Sequence, residues 1–319
     1  MFGVIYMLGK KLQGMIVVCT MLYARAILGQ EVYLVQPSDI SSERDAVIES
    51  FREDLSFQLN GKSLKIISFN EIGKVDGPED IVIALGESGL TSVLAAGGSS
   101  TVIAALISKY SFDKVQADFL GFERTVAAIY SDPSPLRQLA LAKVLYGSDI
   151  NVGVISSKVQ AENVNEIEAL AADLNINMKV FFINEKEKLS TFIDMAKGID
   201  VLLLLKDKDL YEVVPLDRIL LASYDINNVG VIGYSSGIVR SGGLATTYSS
   251  LSDISTSLAQ VLQRIERGDN IRSHYPENFN IKINKYVRRS LGLKKILENL
   301  AKEEILLISE EANSANLTN

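Results

Sequence analysis

Short apolar runs alternate with longer amphipathic segments along the chain from residue 31 onward. The apolar runs are rich in Val, Ile and Leu, which is typical of strands covered on both faces. The segments between them place apolar residues at helical spacing. The pattern therefore predicts an α/β fold with parallel sheets between helices. Strands are predicted at residues 32–36, 64–69, 80–85, 125–130, 151–155, 178–183, 201–205, 230–232 and 279–283, and helices at 41–60, after 89, and at 136–146, 160–174, 186–196, 216–223, 252–267 and 285–291.

The series of strands and helices begins twice, near residue 31 and again near residue 151. Two such series predict two similar lobes, each a doubly wound, Rossmann-like parallel sheet. Lobe 1 is predicted to comprise residues 30–132 with part of the C-terminal segment 244–319, and lobe 2 residues 133–243. The end of the chain becomes polar from Lys302 onward, and we expect it to fray.

The first 29 residues have the pattern of an export signal. Lys10 and Lys11 precede a mostly apolar run at residues 15–23, and the small-residue sequence Ala-Arg-Ala follows at 24–26. A charged start, a short apolar run and such an exit are typical of secretory signal peptides, and the run is short for a membrane span. We expect residues 1–29 to act as a signal peptide, or else as a retained anchor or a buried first helix. Export would place the protein in the periplasm or another extracytoplasmic space.

Composition and charge disfavour several kinds of site. The chain has 319 residues and a net charge of −7, whereas a nucleic-acid groove is normally basic. It has one cysteine, Cys19, and one histidine, His274, so thiol chemistry and a zinc site built on several histidines are not expected. Residues 97–100, Gly-Gly-Ser-Ser, lack the phosphate-loop spacing and are predicted to form a turn. A triad of Ser235, His274 and an acid is not expected, because we expect no G-x-S-x-G elbow and His274 lies in a polar turn. No catalytic, metal or cofactor site is predicted.

Small polar residues recur directly after the predicted strands of both lobes. In open α/β sheets, ligands bind beyond the carboxyl ends of the strands, and helix N-termini there offer free N–H groups. The same residue types also cap helices and form turns, so each residue has a structural reading beside the functional one. Their recurrence in both lobes favours a cleft between the lobes. The candidate ligand-binding residues are Ser88, Ser131, Asp132, Ser156, Ser157, Asp207, Tyr234 and Ser235.

Several segments together resemble one family of proteins. Residues 130–143 (YSDPSPLRQLALAK) and 151–155 (NVGVI) are similar to segments of an ABC-transporter substrate-binding protein family that includes binders of aromatic amino acids. The glycine-rich run at 237–245, the helix that ends before Gly268 and the Ser-Leu-Gly sequence at 290–292 resemble the same family. The resemblance covers roughly residues 78–293.

The resemblance implies a type I periplasmic-binding-protein architecture, in which two lobes close by a hinge on a small molecule. It places the eight candidate residues in the pocket and implies a membrane permease as partner, with no cofactor. We expect an extracytoplasmic solute-binding protein with a small polar, amino acid-like ligand. The hinge is expected near residues 132–135 and 243–248. Two alternatives stay open: an accessory protein that senses a ligand for a sensor kinase or outer-membrane receptor, and a two-domain α/β enzyme such as a nucleotide-sugar transferase.

Overall fold

A computed structural model describes residues 31–36, 42–59, 63–75, 77–119, 121, 124–183, 197–226 and 228–316. The expected signal segment 1–29 and the expected helix 186–196 lie outside the described residues. Within them, the chain forms two separate sheets with helices on their faces, which confirms the α/β class.

The first sheet has five parallel strands in the order β2-β1-β3-β4-β5. Its central strands are apolar and fully buried, as the uninterrupted runs predict. The strands are β1 (Val32–Gln36), β2 (Leu64–Ser68), β3 (Ile81–Leu85), β4 (Thr101–Ile107) and β5 (Val126–Tyr130). Their helices are α1 (Ser42–Gln58), α2 (Gly86–Ala95) and α3 (Lys109–Asp118).

The prediction missed two neighbouring elements of this sheet, β4 and α3. The run that forms β4 contains Ala104, Ala105 and Leu106, which favour helix, so short apolar periodicity did not distinguish a strand. The expected turn at residues 97–100 precedes β4. The Arg124 side chain holds this turn through hydrogen bonds to the carbonyl oxygens of Gly97 and Ser100.

The second sheet has six strands in the order β11-β10-β9-β8-β6-β7. Read from β7, its parallel part repeats the order of the first sheet, and β11 adds an antiparallel edge. The strands are β6 (Asn151–Ser156), β7 (Asn177–Phe182), β8 (Val201–Leu204), β9 (Gly230–Ile232), β10 (Ala245–Tyr248) and β11 (Asn280–Ile283). The helices between them are α4 (Pro135–Tyr146), α5 (Ala161–Asp173), α6 (Lys208–Val213), α7 (Leu216–Leu221) and α8 (Ser236–Arg240).

The C-terminal part of the chain contributes to both sheets. Helix α9 (Leu251–Glu266) buries Leu258 and Leu262 in the core of the first sheet. The short helix α10 (Lys285–Ser290) follows β11, and α11 (Glu298–Asn316) packs on the second sheet. We call the first sheet with α1–α3 and α9 lobe 1, and the second sheet with α4–α8, α10 and α11 lobe 2.

The expectation that the chain frays after Lys302 is wrong, because α11 continues to residue 316. Ala301, Ile305 and Ala312 recur at helical spacing on one face of α11 and are buried in the core of lobe 2. Four of the polar residues that suggested fraying, Glu303, Glu304, Glu310 and Glu311, are exposed on the other faces of this helix.

The chain passes between the lobes three times. The first crossing is residues 131–134 between β5 and α4, and the second is residues 249–250 between β10 and α9. The third runs through residues 275–279, after His274 has made backbone hydrogen bonds to Ala128 and Tyr130 beside β5. The hinge expected at 243–248 differs from this arrangement, because residues 245–248 form β10 within lobe 2. The β-branched Thr246 and Thr247 pair there with β11.

Candidate ligand-binding site

A cleft lies between the carboxyl ends of the strands of the two lobes. The water-accessible space in it is small, about 30 Å³. Ser108 and Tyr110 line it from lobe 1, directly after β4, and Asp132 and Pro133 line it from the first crossing. The residues that line it from lobe 2 include Gln160, Asn163, Lys206 and Tyr234.

Asp132 is a partly buried carboxylate at the centre of this arrangement. One carboxylate oxygen, Oδ1, accepts a hydrogen bond of 2.9 Å from the backbone N–H of Lys109. Burial raises the pKa of Asp132 to about 6, although backbone N–H groups and the positive charges of Lys206 and Lys109 act against this increase. Those two side chains act through space, and neither makes an ion pair with Asp132 among the described residues.

Lys109 connects the two lobes at the edge of the cleft. Its Nζ lies 2.6 Å from Asp113 Oδ2 on α3 and 2.8 Å from Glu166 Oε2 on α5 of lobe 2. Burial acts to lower the Lys109 pKa, but the hydrogen bonds to both carboxylates outweigh it and raise this pKa above its ordinary value. The same residue therefore donates its backbone N–H to Asp132 and its side chain across the lobes.

Two tyrosines contribute aromatic surface from opposite sides of the cleft. Tyr110 belongs to lobe 1 and Tyr234 to lobe 2, and burial raises the pKa of both phenols. The Tyr234 ring lies 5.8 Å from that of Tyr211, whose hydroxyl donates to the Leu205 carbonyl oxygen at 2.6 Å. Tyr211 thus supports the Tyr234 ring from behind.

A short chain of amide hydrogen bonds fixes the lobe 2 wall of the cleft. The side-chain amide of Asn163 donates to Gln160 Oε1 at 3.0 Å, and Gln160 Nε2 donates to the Lys206 carbonyl oxygen at 3.0 Å. The backbone that carries the Lys206 side chain is therefore held in place at the cleft.

The structure brings Ser156, Ser157 and Asp207 together inside lobe 2, away from the cleft lining. Asp207 is fully buried and accepts four hydrogen bonds, from both serine hydroxyls and from the backbone N–H groups of Ser157 and Leu210. The last of these caps α6. This is the structural reading that the sequence left open.

The other predicted residues lie in different surroundings. Asp132 and Tyr234 line the cleft, Ser131 and Ser235 are their chain neighbours, and Ser88 is exposed on α2. The sequence analysis did not select Ser108, Tyr110, Gln160, Asn163 or Lys206. Lys206 follows the predicted strand β8, so a search for polar residues after predicted strands could have found it. Ser108 and Tyr110 follow β4, which the sequence did not predict as a strand.

Residues 233–237 read Gly-Tyr-Ser-Ser-Gly, which matches the G-x-S-x-G pattern of a nucleophile elbow, so the expectation that the chain lacks this pattern is wrong. Gly233, Tyr234 and Ser235 connect β9 to α8, and Ser236 and Gly237 begin α8, but Ser235 has an ordinary extended backbone with φ −158° and ψ 157° rather than a strained turn. His274 does not serve it as a base, since its Nε2 lies 3.0 Å from Ser257 Oγ and its Nδ1 2.9 Å from the Arg272 carbonyl oxygen. The geometry therefore does not form a triad at Ser235.

The hydroxyl groups near the second crossing are used in structural hydrogen bonds. Gln138 is buried, and its side chain donates to the Gly233 carbonyl oxygen at 2.7 Å and accepts from the Thr247 N–H at 2.9 Å. Thr246 Oγ1 donates to the same carbonyl at 2.6 Å. Ser250 forms a capping box with Asp253 at the start of α9. These contacts hold β10 and the start of α4 together beside the hinge.

The described residues contain neither a metal-binding cluster nor a membrane-spanning helix. No group of three His, Cys, Asp or Glu side chains in that part of the chain is placed to hold a metal ion. No helix in the same ranges is both long and apolar enough to cross a bilayer.

Comparison with known proteins finds similarity at the level of structure. No protein-family model and no curated protein matches the sequence. The ligand-free, open structure of a substrate-binding protein with adhesive properties from Clostridium difficile has a TM-score of 0.63 and 16% identity, covering 84% of this chain and 96% of the other. An ABC domain in complex with L-Trp from Streptococcus pneumonia has a TM-score of 0.55 and 16% identity, covering 86% and 98%. A conserved domain protein from Vibrio cholerae has a TM-score of 0.54 and 13% identity, covering 85% and 97%.

At 13–16% sequence identity, this similarity is evidence about the fold alone. Nearly the full length of each of these proteins aligns with most of this chain. Together with the repeated strand order and the three crossings, it confirms the expected architecture: the chain has the two-lobe, type I periplasmic-binding-protein fold.

Proposed function

We propose that this protein binds a small zwitterionic solute, an amino acid or a close analogue, between its lobes and presents it to the membrane permease of an ABC-type uptake system. It would do so outside the cytoplasm and without altering the ligand. Two proteins of similar fold support this proposal, since one is a substrate-binding protein and the other holds L-Trp.

The observation that carries the proposal is the Asp132 carboxylate. Its pKa is raised to about 6 by burial, so keeping it charged at neutral pH costs free energy in the unliganded protein. A ligand ammonium group beside Asp132 would offset that cost. Lys206, whose charge acts on the same site, would attract the ligand carboxylate, and Tyr110 and Tyr234 would contact its apolar part.

Closure of the lobes would couple binding to recognition by the permease. The Lys109–Glu166 ion pair joins the lobes at the edge of the cleft and would stabilise the closed form. A ligand shifts the equilibrium between open and closed forms only by its higher affinity for one of them. Because Asp132 accepts a hydrogen bond from Lys109 of lobe 1 and Lys206 belongs to lobe 2, a zwitterion that contacts both favours closure.

A thermal-shift screen followed by calorimetry tests the proposal, with amino acids, sugars and nucleotides as probes. We expect an amino acid to raise the melting temperature. A ligand at about 100 times its dissociation constant should stabilise the protein by about 2.7 kcal/mol. The N-acetyl derivative of that amino acid, which lacks the ammonium group, should bind far more weakly.

Two outcomes would contradict the proposal. If the N-acetyl derivative binds as well as the parent, then Asp132 does not recognise an ammonium group. If nucleoside diphosphate sugars alone shift the melting temperature and are consumed, the two-domain enzyme hypothesis replaces solute binding.

A further inference from the structure

Helix α11 carries a stripe of exposed leucines about a third of a turn around the helix from its buried side. Leu300 is 50% exposed and Leu307 is 60% exposed, and two helical turns separate them. Glutamates lie on both sides of this stripe at helical spacing: Glu303 and Glu310 on one side, Glu304 and Glu311 on the other. This surface is therefore an apolar line with negative charge along each edge. We call it the α11 stripe.

An open apolar groove lies between α7 and α10, also in lobe 2. The water-accessible space in it is about 760 Å³. Leu221 in this groove is 59% exposed and Tyr286 is 71% exposed. The apolar residues that line it are Leu216, Leu220, Leu221, Tyr224, Tyr286 and Val287. We call it the α7–α10 groove.

The groove is bordered by positive charge although the whole chain has a net charge of −7. Lys285 Nζ lies 5.1 Å from the centre of the Tyr286 ring. Asp217 lines the groove, and Glu298 lies near it with Oε1 accepting the Ile283 N–H. Residues 282–295 nevertheless contain no acid and six cations, which are Lys282, Lys285, Arg288, Arg289, Lys294 and Lys295.

We propose that the α11 stripe of one copy of this chain docks in the α7–α10 groove of a second copy. The leucines of the stripe would cover the apolar floor of the groove, and the flanking glutamates would face the cations of residues 282–295. Apolar burial would supply the affinity, and the opposite charges would fix the orientation.

The position of the two surfaces favours a closed pair. The hydrogen bond from the Ile283 N–H to Glu298 places the start of α11 beside the end of β11, where α10 begins. Leu300 therefore lies at the same end of lobe 2 as the groove, and the stripe extends from there along β11 toward Phe279, with the Lys302 Nζ 4.9 Å from the centre of the Phe279 ring. A two-fold pair can make the contact twice. The stripe from Leu300 to Glu311 is about 18 Å long, and two stripes with two grooves would bury on the order of 800 Å², the size of a weak, reversible interface.

This pairing would leave the ligand cleft open. Helix α7 leads to the start of β9, and Ser241 and Gly242 of the groove precede the start of β10. The groove therefore lies at the amino ends of the strands, whereas the cleft lies at their carboxyl ends. The inference is independent of the proposed function.

Charge reversal with mixing tests the pairing, using the whole chain and sedimentation velocity. We expect the unmodified protein to sediment as a dimer at high protein concentration, and raising salt to about 0.5 M should weaken this association without abolishing it. The variant Glu303→Lys/Glu304→Lys and the variant Lys285→Glu/Arg289→Glu should each associate at least about 10-fold more weakly. A mixture of these two variants should dimerise again, because every contact then joins opposite charges.

Matched controls separate pairing from general stickiness and from misfolding. Phe57 is 82% exposed on α1 of lobe 1, so Phe57→Ala should leave the dimer unchanged, whereas Leu300→Ala/Leu307→Ala should weaken it. Circular dichroism should show the same fold in all variants, since the changed side chains are exposed. A monomer at all concentrations, association insensitive to the variants, or a mixture that stays monomeric would each overturn the proposal.

Discussion

Asp132 and Asp207 occupy comparable places, one after the last strand of the first sheet and the other after β8 of the second, yet their surroundings differ. Asp207 is fully buried and receives four hydrogen bonds from its own lobe. Asp132 faces the cleft, and burial raises its pKa to about 6. The number of hydrogen-bond donors around the carboxylate in the folded protein therefore decides whether an aspartate after a strand is structural or available to a ligand.

The largest expected effect comes from removing the structural carboxylate. Asp207→Ala should destabilise the protein by about 3–5 kcal/mol, because two serine hydroxyls and two backbone N–H groups would remain buried without an acceptor. Urea unfolding measures this change. Asp209→Ala, two positions further along the chain and exposed, is the matched control and should change stability by less than about 0.5 kcal/mol. Equal effects of the two substitutions would show that the Asp207 cluster is not a main source of stability.

Asp132→Asn should produce effects of opposite sign on binding and stability. Binding of a zwitterionic ligand should weaken by about 2–5 kcal/mol, because the ligand ammonium loses its counter-charge. Stability of the unliganded protein at neutral pH should rise by about 1–3 kcal/mol, because a charge that burial disfavours is removed. Calorimetry and urea unfolding measure the two quantities. A variant that is less stable and binds normally would remove Asp132 from the site.

The stability of the protein should depend on pH through the Asp132 carboxylate. Its pKa is about 6 in the folded protein against an ordinary value of 3.8 for an aspartate, so the folded state holds the proton more tightly. The Asp132 contribution to stability should therefore be largest below about pH 4 and decrease by about 1–3 kcal/mol as the pH rises to about 6. Affinity for an ammonium-bearing ligand should increase over the same range. Comparison with Asp132→Asn isolates this contribution, and identical profiles for the two proteins would refute it.

The smallest expected effect concerns the ion pair between the lobes. Glu166 is largely exposed, so Glu166→Gln should weaken closure by only about 0.2–1 kcal/mol. Ligand affinity should fall by a similar amount at low salt, and the difference should disappear at high salt. Glu162→Gln on the same helix is the control. A loss of affinity that persists at high salt would mean that Glu166 acts by another route.

Much of the fold could be predicted from the sequence because its strands are uninterrupted apolar runs. The strand β9 at 230–232 was predicted with its observed ends, and β1 likewise. Strand β4 was missed because its alanines and leucine also suit a helix, and Ser108 and Tyr110 of the cleft were lost with it. Helix α11 was missed because its few buried residues, such as Ala301 and Ile305, are spaced among many charges.

The site was harder to predict than the fold because donors come from distant parts of the chain. Asp132 and Asp207 were both predicted as ligand-binding residues, because each follows a predicted strand. The difference between them depends on Ser156 and Ser157, which lie 51 and 50 positions before Asp207. It also depends on Lys109, whose backbone N–H donates a hydrogen bond to Asp132 in the first crossing. The capping and binding readings of a strand-end residue therefore become separable only when the packing between segments is known.

The three crossings have a consequence for the order in which the protein can be built. Lobe 1 is encoded first, yet α9 supplies Leu258 and Leu262 to its core beside Phe51 and Leu55 of α1. During translation, all the parallel strands of lobe 2 are therefore made before α9, which is needed to cover the apolar surface of the first sheet fully. Truncation anywhere before residue 266 leaves that surface open to water, so neither half of the gene encodes a lobe that is complete by itself.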